Sequence, residues 1–380
     1  MNKYLELTMT HRVDIHGKKM MGWLAPLMLA LTLMVSSCSP ATEGQEGNDA
    51  WVTLTISTGG GSADGGEGMA SRASGSAADK DWQVNDLTIY IFDQTGQVIG
   101  SSYASYSINS KQDITATVKT RKAQGCTVIA LANAGTLSGT YATAQTTSPF
   151  AGVSTLSEFQ QKYITFKDMA SLESAPCLLM VGYLTGFDTT SSGSSISLQR
   201  LASRLDFTIT VNQDNVTGFP IVVDSYQLCH APLSAFYAPA DMSSTGITLP
   251  SGTSFVEYAA NSTAFNSWTS GSNSQSYTAY VYANPATTAT DATYLLIKAH
   301  SQASNTDTRK IWQSEFKVYL TGITGPADYQ LLPNYHYTIG ITVQGSATEH
   351  NGVKTVYTAY PYMAGGSIAS WTPEDRPTDM

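Results

Sequence analysis

Short runs that alternate apolar and polar side chains recur along most of this chain, and a two-residue period commits a segment to a sheet with one buried face. Leu205, Phe207, Ile209 and Val211 alternate with Asp206, Thr208 and Thr210, and Ile114, Ala116 and Val118 with Thr115 and Thr117. Residues 87–92 and 335–343 continue the pattern, while the apolar run 127–132 reads as a strand buried on both faces. Further strands are expected near 178–183, 195–198, 221–228, 280–283, 293–299 and 316–320. Asp93-Gln94-Thr95-Gly96 has the residues of a tight turn, followed by a return strand at 97–99. One helix is predicted, at Thr155-Leu156-Ser157-Glu158, where Thr and Glu side chains can satisfy free amides and Leu156, Phe159 and Tyr163 would share the inner face. The expected fold is all-β: two tandem β-sandwich domains, at 81–199 and 200–352, with minor helix. Charged residues are 13% of the chain, about half the usual share, which argues against a helical enzyme laced with ion pairs. The formal charge of −9, without a cluster of Lys and Arg, excludes nucleic acid as a partner.

The N-terminus reads as an export signal. Lys18 and Lys19 precede an apolar run from Trp23 to Val35, too short for a comfortable membrane span. The run closes on Val35-Ser36-Ser37-Cys38, which resembles the lipobox of bacterial lipoproteins, so residues 1–37 are expected to be a signal peptide and Cys38 the acylated (palmitate-bearing) first residue. Residues 1–16, with Glu6 and Asp14, fit no signal n-region, which leaves the start open between Met1 and a downstream codon such as Met20 or Met21. Loss of 1–37 leaves 16 basic and 27 acidic residues, an acidic exported protein. Beyond Cys38 the cysteines are Cys126, Cys177 and Cys229, an odd number in apolar stretches without a C-x-x-C pair. Buried free thiols are expected rather than a disulfide framework or a zinc site.

Both ends of the exported chain carry strands beyond those the sandwiches need. Residues 38–80 comprise a short acidic tether, a strand with Val52, Leu54 and Ile56 on one face beside Trp51, and a long Gly/Ser/Ala/Asp loop containing Arg72. At the other end, within 353–380, residues 355–360 and 366–371 are again strand-like.

Catalytic motifs are missing: there is no G-x-S-x-G elbow, no P-loop and no H-E-x-x-H. His230, His300, His336 and His350 are widely separated, and Asp206 and Asp224 read as outward-facing or edge acids. No enzyme activity, cofactor or metal is expected.

The order of pieces resembles the FimA/Mfa-like fimbrillins, the type V pilins exported as lipoproteins. The matching pieces are Cys38, the strand Trp51 to Ile56 and its Gly-rich loop, Val84-Asn85-Asp86-Leu87-Thr88-Ile89-Tyr90-Ile91-Phe92-Asp93 with Gly96, and Val128-Ile129-Ala130-Leu131-Ala132-Asn133-Ala134. Arg200-Leu201-Ala202-Ser203-Arg204-Leu205 and Leu332-Pro333-Asn334-Tyr335-His336-Tyr337 complete them.

The resemblance implies two transthyretin-like sandwiches and a fimbrial subunit, shaft or tip, that polymerises by strand exchange after proteolysis and serves adhesion. On that expectation the outer-membrane lipoprotein precursor is cut by an Arg-specific extracellular protease between Arg72 and Ala73. The strand Trp51, Val52, Leu54, Ile56 is then displaced by a strand from another copy or a related pilin, and the product joins an extracellular fimbrium that meets host or bacterial surface ligands. The candidate donor side chains are Val356, Tyr357, Tyr360, Ile368 and Trp371, and the Arg200/Arg204 pair is expected to hold the interdomain junction. The alternative is a monomeric surface glycan-binding lipoprotein using exposed aromatics such as Trp268, Trp312 and Tyr319.

Overall fold

The computed structural model describes residues 48–58, 80–191, 193–242, 246–269, 271–320 and 329–347, with the backbone pairing of 353–361. Cys38, Arg72, Ala73, Ile368 and Trp371 lie outside the described residues. Half of the described residues lie in strands and 8% in helices, in several sheets, so the fold is the expected all-β one.

The first half contains β1 (Asp49–Ser57), β2 (Val84–Phe92), β3 (Val98–Ile108), β4 (Asp113–Arg121), β5 (Cys126–Ala132) and helix α1 (Ala134–Thr140). Helix α2 (Leu156–Gln160), β6 (Tyr163–Thr165), α3 (Met169–Ser174), β7 (Met180–Phe187), β8 (Ser194–Ser197) and β9 (Gln199–Arg200) follow. Two sheets face each other, β4-β1-β8 and β3-β2-β5-β7-β9. Their shared core takes Val52, Leu54 and Ile56 from β1, Leu87, Ile89 and Ile91 from β2, Ile114, Ala116 and Val118 from β4, and Val128 and Ala130 from β5. The period-two parity of the sequence is therefore the parity of the sandwich.

The outer face of β2 and β5 is covered too, which explains the continuous apolar run of β5. Ile129 and Leu131 pack with α1 and α2 residues, and Tyr90, Phe92, Phe150 and Phe159 form an aromatic cluster with centroids 4.6–6.0 Å apart. The turn at 93–96 forms as expected, with Gly96 at φ 81° and Asp93 accepting from the amides of Thr95 and Gln97. Helix α2 has the anticipated capping box, Glu158 N–H on Thr155 Oγ1 and the Glu158 carboxylate on the Thr155 amide. It differs in length: it stops at Gln160, and Tyr163 lies on β6, 51% exposed, because β6 pairs with a strand from the second half. Helix α1, not expected from its Gly-containing sequence, is made possible from outside. Buried Asp86 on β2 accepts the amides of Gly135 and Thr136 at 2.9 and 2.7 Å, occupying donors that a helix start leaves free.

The chain changes sheets at Arg200, which still pairs with Met180 of β7, whereas β10 (Ala202–Val211) opens the next sheet. Thereafter come β11 (Ile221–Cys229), β12 (Ala231–Pro232), β13 (Ser234–Phe236), β14 (Phe255–Val256), β15 (Phe265–Asn266), β16 (Ser274–Tyr282), β17 (Tyr294–Gln302), β18 (Lys310–Tyr319), β19 (Tyr335–Val343) and β20 (Val353–Pro361). Their main sheets are β16-β10-β19-β20 and β15-β11-β17-β18, packed over Leu205, Phe207, Ile209, Val223, Leu295, Ile297, Phe316, Ile339 and Ile341. Cys126, Cys177 and Cys229 are buried free thiols, and burial pushes Cys177 up to about 12 and Cys229 up to about 11, so neither is a nucleophile at neutral pH.

Candidate functional site

Strand β1 is not an appendage. It is the middle strand of its sheet, antiparallel to β4 from Asp49↔Arg121 to Ser57↔Asp113 and parallel to β8 from Leu54↔Ser194 to Ser57↔Ser197. Val52, Leu54 and Ile56 are fully buried, and Trp51 points outward, 68% exposed. Burying each of the three aliphatics contributes about 1.5–3 kcal/mol. Both ends are fastened. Lys122 N–H donates to Asn48 C=O at 2.7 Å, Leu198 N–H to Ser57 C=O at 2.9 Å, and the Thr58 hydroxyl both donates to Gln112 C=O and accepts from its amide at 3.0 Å.

The two strands beside β1 are themselves held against the opposite sheet. At one side Gly182 of β7 lies so close to β8 that a Cβ would stand 2.5 Å from Ile196 Cγ2 and 2.7 Å from Ser197 C=O. At the other side a Cβ on Gly100 of β3 would stand 2.8 Å from Lys119 C=O, and Thr120 Oγ1 donates to Ile99 C=O at 3.0 Å. Those contacts do not involve β1, so the walls of its slot have supports independent of the strand that fills it.

The first described residues after the loop are anchored just as firmly. Lys80 Nζ donates to Glu173 C=O at 2.8 Å, and burial lowers its pKa, an effect opposed by the Glu173 carboxylate nearby. Arg200, 1% exposed, donates from Nε to Asp81 C=O at 2.7 Å and stacks over Trp82 at 4.3 Å. Arg204 bonds the Asp81 carboxylate at 3.2 Å and both oxygens of Asp206 at 3.1 Å. The Arg pair thus ties residues 81 and 82 to the start of β10.

Asp206 does not face out alone. Besides Arg204 it accepts from Thr278 Oγ1 and contacts His336 Nε2, both at 2.6 Å. Burial raises its pKa, but the bonds from His336 and Thr278 and the Arg204 charge outweigh it and hold the carboxyl at about 2. Asp224 likewise bonds His300 Nδ1 at 2.9 Å. These pairings cross between strands far apart in sequence and left no local signal. Among the described residues no group of His, Cys, Asp and Glu is arranged to hold a metal, and no helix is long and apolar enough to cross a membrane.

The aromatics of the alternative reading are engaged rather than free. Trp312 is half-buried and donates its N–H to Asp214 at 2.7 Å, Tyr319 contacts the rings of Tyr294 and Tyr329, and Trp268 is half-buried. At the other terminus β20 pairs antiparallel with β19 from Val343↔Val353 to Tyr335↔Pro361, which places Val356, Tyr357 and Tyr360 on the outermost strand of their own sheet.

Residues 51–201 match the family model for the major fimbrial subunit protein (FimA), a structural subunit rather than an enzyme. The match runs from the buried first strand through the Arg200 junction. Among solved structures, a fimbrilin (FimA) from Porphyromonas gingivalis superposes with TM-score 0.54 at 12% identity, covering 82% of this chain and 97% of that one. A candidate cell adhesion protein from Parabacteroides distasonis gives TM-score 0.59 at 16% identity, over 83% and 98%. The tip fimbrial protein Mfa3 of Porphyromonas gingivalis, with a C-terminal truncation, gives 0.50 at 13%, over 82% and 99%. These likenesses establish a shared fold along nearly the whole length of each relative. No curated protein matches the chain significantly. The fimbrillin resemblance expected from the sequence is thus found in the family model over 51–201 and in the fold.

Proposed function

We propose that this protein is a structural subunit, shaft or tip, of an adhesive extracellular fimbria, exported as a lipoprotein through Cys38 and polymerised by strand exchange after cleavage between Arg72 and Ala73. The observation that carries the mechanism is the position of β1, a nine-residue middle strand whose Val52, Leu54 and Ile56 are fully buried. Once the loop is cut, only noncovalent bonds retain β1. Its departure exposes two rows of backbone groups and an apolar slot, which a terminal strand of a second subunit can restore. The contacts at Gly100 and Gly182 support the slot's walls without β1, and the bonds of Lys80, Arg200 and Arg204 keep the residues after the loop in place. The incoming strand is assigned to the tail that includes Val353–Pro361 and continues to Trp371, whose described part has a neighbour on one side only. Partners are accordingly other copies or related subunits, an Arg-specific protease, the outer membrane before cleavage, and surface ligands afterwards.

The test is limited digestion of unlipidated precursor, residues 39–380, with an Arg-specific protease, followed by intact mass and native size. Cleavage after Arg72 and SDS-resistant ladders are expected, and Arg72→Ala should stay folded and monomeric. A clean cut that leaves a stable monomer overturns polymerisation by this route.

A further inference from the structure

The outer face of the first sandwich carries an open cleft of about 430 Å³ that has no part in the strand-exchange reading. Four of its lining residues come from directly paired positions, Thr88↔Tyr103 and Tyr90↔Ser101, so their side chains share one face of the β2–β3 ladder. Ser102 and the loop from Thr147 to Phe150 complete the lining.

The chemistry of this lining is narrow. None of its residues is charged; hydroxyl-bearing and aromatic side chains supply nearly all of it. Among the described residues the hydroxyls of Thr88, Ser101, Tyr103 and Ser148 have no protein partner, although Thr88 is 7% exposed. The aromatic floor is packed from behind: Tyr90 packs at 4.8 Å on Phe159, which stacks at 4.6 Å on Phe150, itself 5.1 Å from Tyr237. Tyr103 is the contrast, a large ring left 56% exposed with its hydroxyl end against α1, 3.0 Å from where a Cβ of Gly135 would stand.

We propose that this cleft is a binding site for a neutral saccharide, with the Tyr103 ring as its stacking wall. A pyranose has one face of C–H groups, which seats on an aromatic ring, and a rim of hydroxyls that both donate and accept, the property of Ser, Thr and Tyr side chains. A charged ligand finds no counter-ion here, and an anion also meets a chain of net charge −9. A floor ordered in advance reduces the entropy lost on binding. The site goes beyond the fimbrial reading and is measured on the uncut monomer, so it stands or falls separately from polymerisation.

The experiment is saturation-transfer NMR on the full chain carrying Cys38→Ser, with methyl α-mannoside, methyl β-galactoside and methyl N-acetyl-β-glucosaminide as probes, N-acetylneuraminic acid as the anionic control, and a Tyr-containing tripeptide as competitor. Transfer to the C–H protons of at least one neutral glycoside is expected. Tyr103→Ala should weaken it by about tenfold or more while Tyr103→Phe, which keeps the ring, changes it by less than about threefold. Ser148→Ala, in the 147–150 loop of the lining, gives a second reading should Tyr103→Ala lower the thermal midpoint. Absence of transfer to every neutral glycoside, unchanged binding in Tyr103→Ala, or displacement by the neuraminic acid or the tripeptide overturns the proposal.

Discussion

The two terminal strands of the described chain, β1 and β20, are held in different ways. Strand β1 has a neighbour on each side, nine paired residues with β4 and four with β8, and places three fully buried aliphatic side chains in a core. Strand β20 has nine paired residues with β19 and ends its sheet. Among the described residues, losing β20 breaks one ladder, whereas losing β1 breaks two and removes three buried aliphatics from a core. A middle strand is a poor candidate for spontaneous release and a good one for replacement, because the state without it is costly.

The largest expected effect is on the β1 side. Leu54→Ala removes a fully buried side chain and should destabilise the uncut protein by about 2–5 kcal/mol in denaturant unfolding. A loss below about 1 kcal/mol would mean that β1 contributes little to its core, and the contrast is broken.

A smaller effect isolates the platform under β20. Asp206 on β10 bonds His336 on β19, the strand to which β20 is paired, and it does not touch β1. Its carboxyl titrates at about 2 in the folded state against 3.8 ordinarily, so its stabilisation is complete above 3.8 and fades as pH falls through about 2. Asp206→Asn should cost about 2 kcal/mol at neutral pH and flatten the acid limb of the stability curve between about pH 4 and pH 2. An acid limb identical to that of the unmodified chain would place the titrating group elsewhere.

The smallest effect sharpens the parity of β1 itself. Trp51 is 68% exposed next to buried Val52, and Trp51→Ala should change stability by less than about 0.5 kcal/mol on the same denaturation measurement. A loss comparable to that of Leu54→Ala would mean that both faces of β1 are covered.

Short-range pattern was legible and long-range pairing was not. The faces of β1, β4 and β10, the turn at Asp93 and the capping box at Thr155 were all readable, because each depends on residues a few positions apart. The length of α2 was overestimated since Tyr163 is drawn into pairing with Phe236. Helix α1 was missed because its cap, Asp86, comes from a strand 49 residues earlier. His336 and Asp206 gave no local sign of each other across 130 residues. Residues of the Tyr103 cleft were invisible as a site for the same reason: they are assembled from a hairpin and a distant loop.

Local pattern alone specifies a series of short amphipathic strands, an apolar face on residues 51–56 and cysteines in apolar surroundings. Alternation and turn chemistry are local properties, and they survive whatever the rest of the chain does. Long-range pairing places β1 in the middle of its sheet, leaves β20 at an edge among the described residues, brings Arg200 and Arg204 onto Asp81, and lines one cleft with hydroxyls and rings from β2, β3 and the 147–150 loop. Those outcomes rest on which strands pair and in what register, a choice made by filling two cores at once rather than by any single segment.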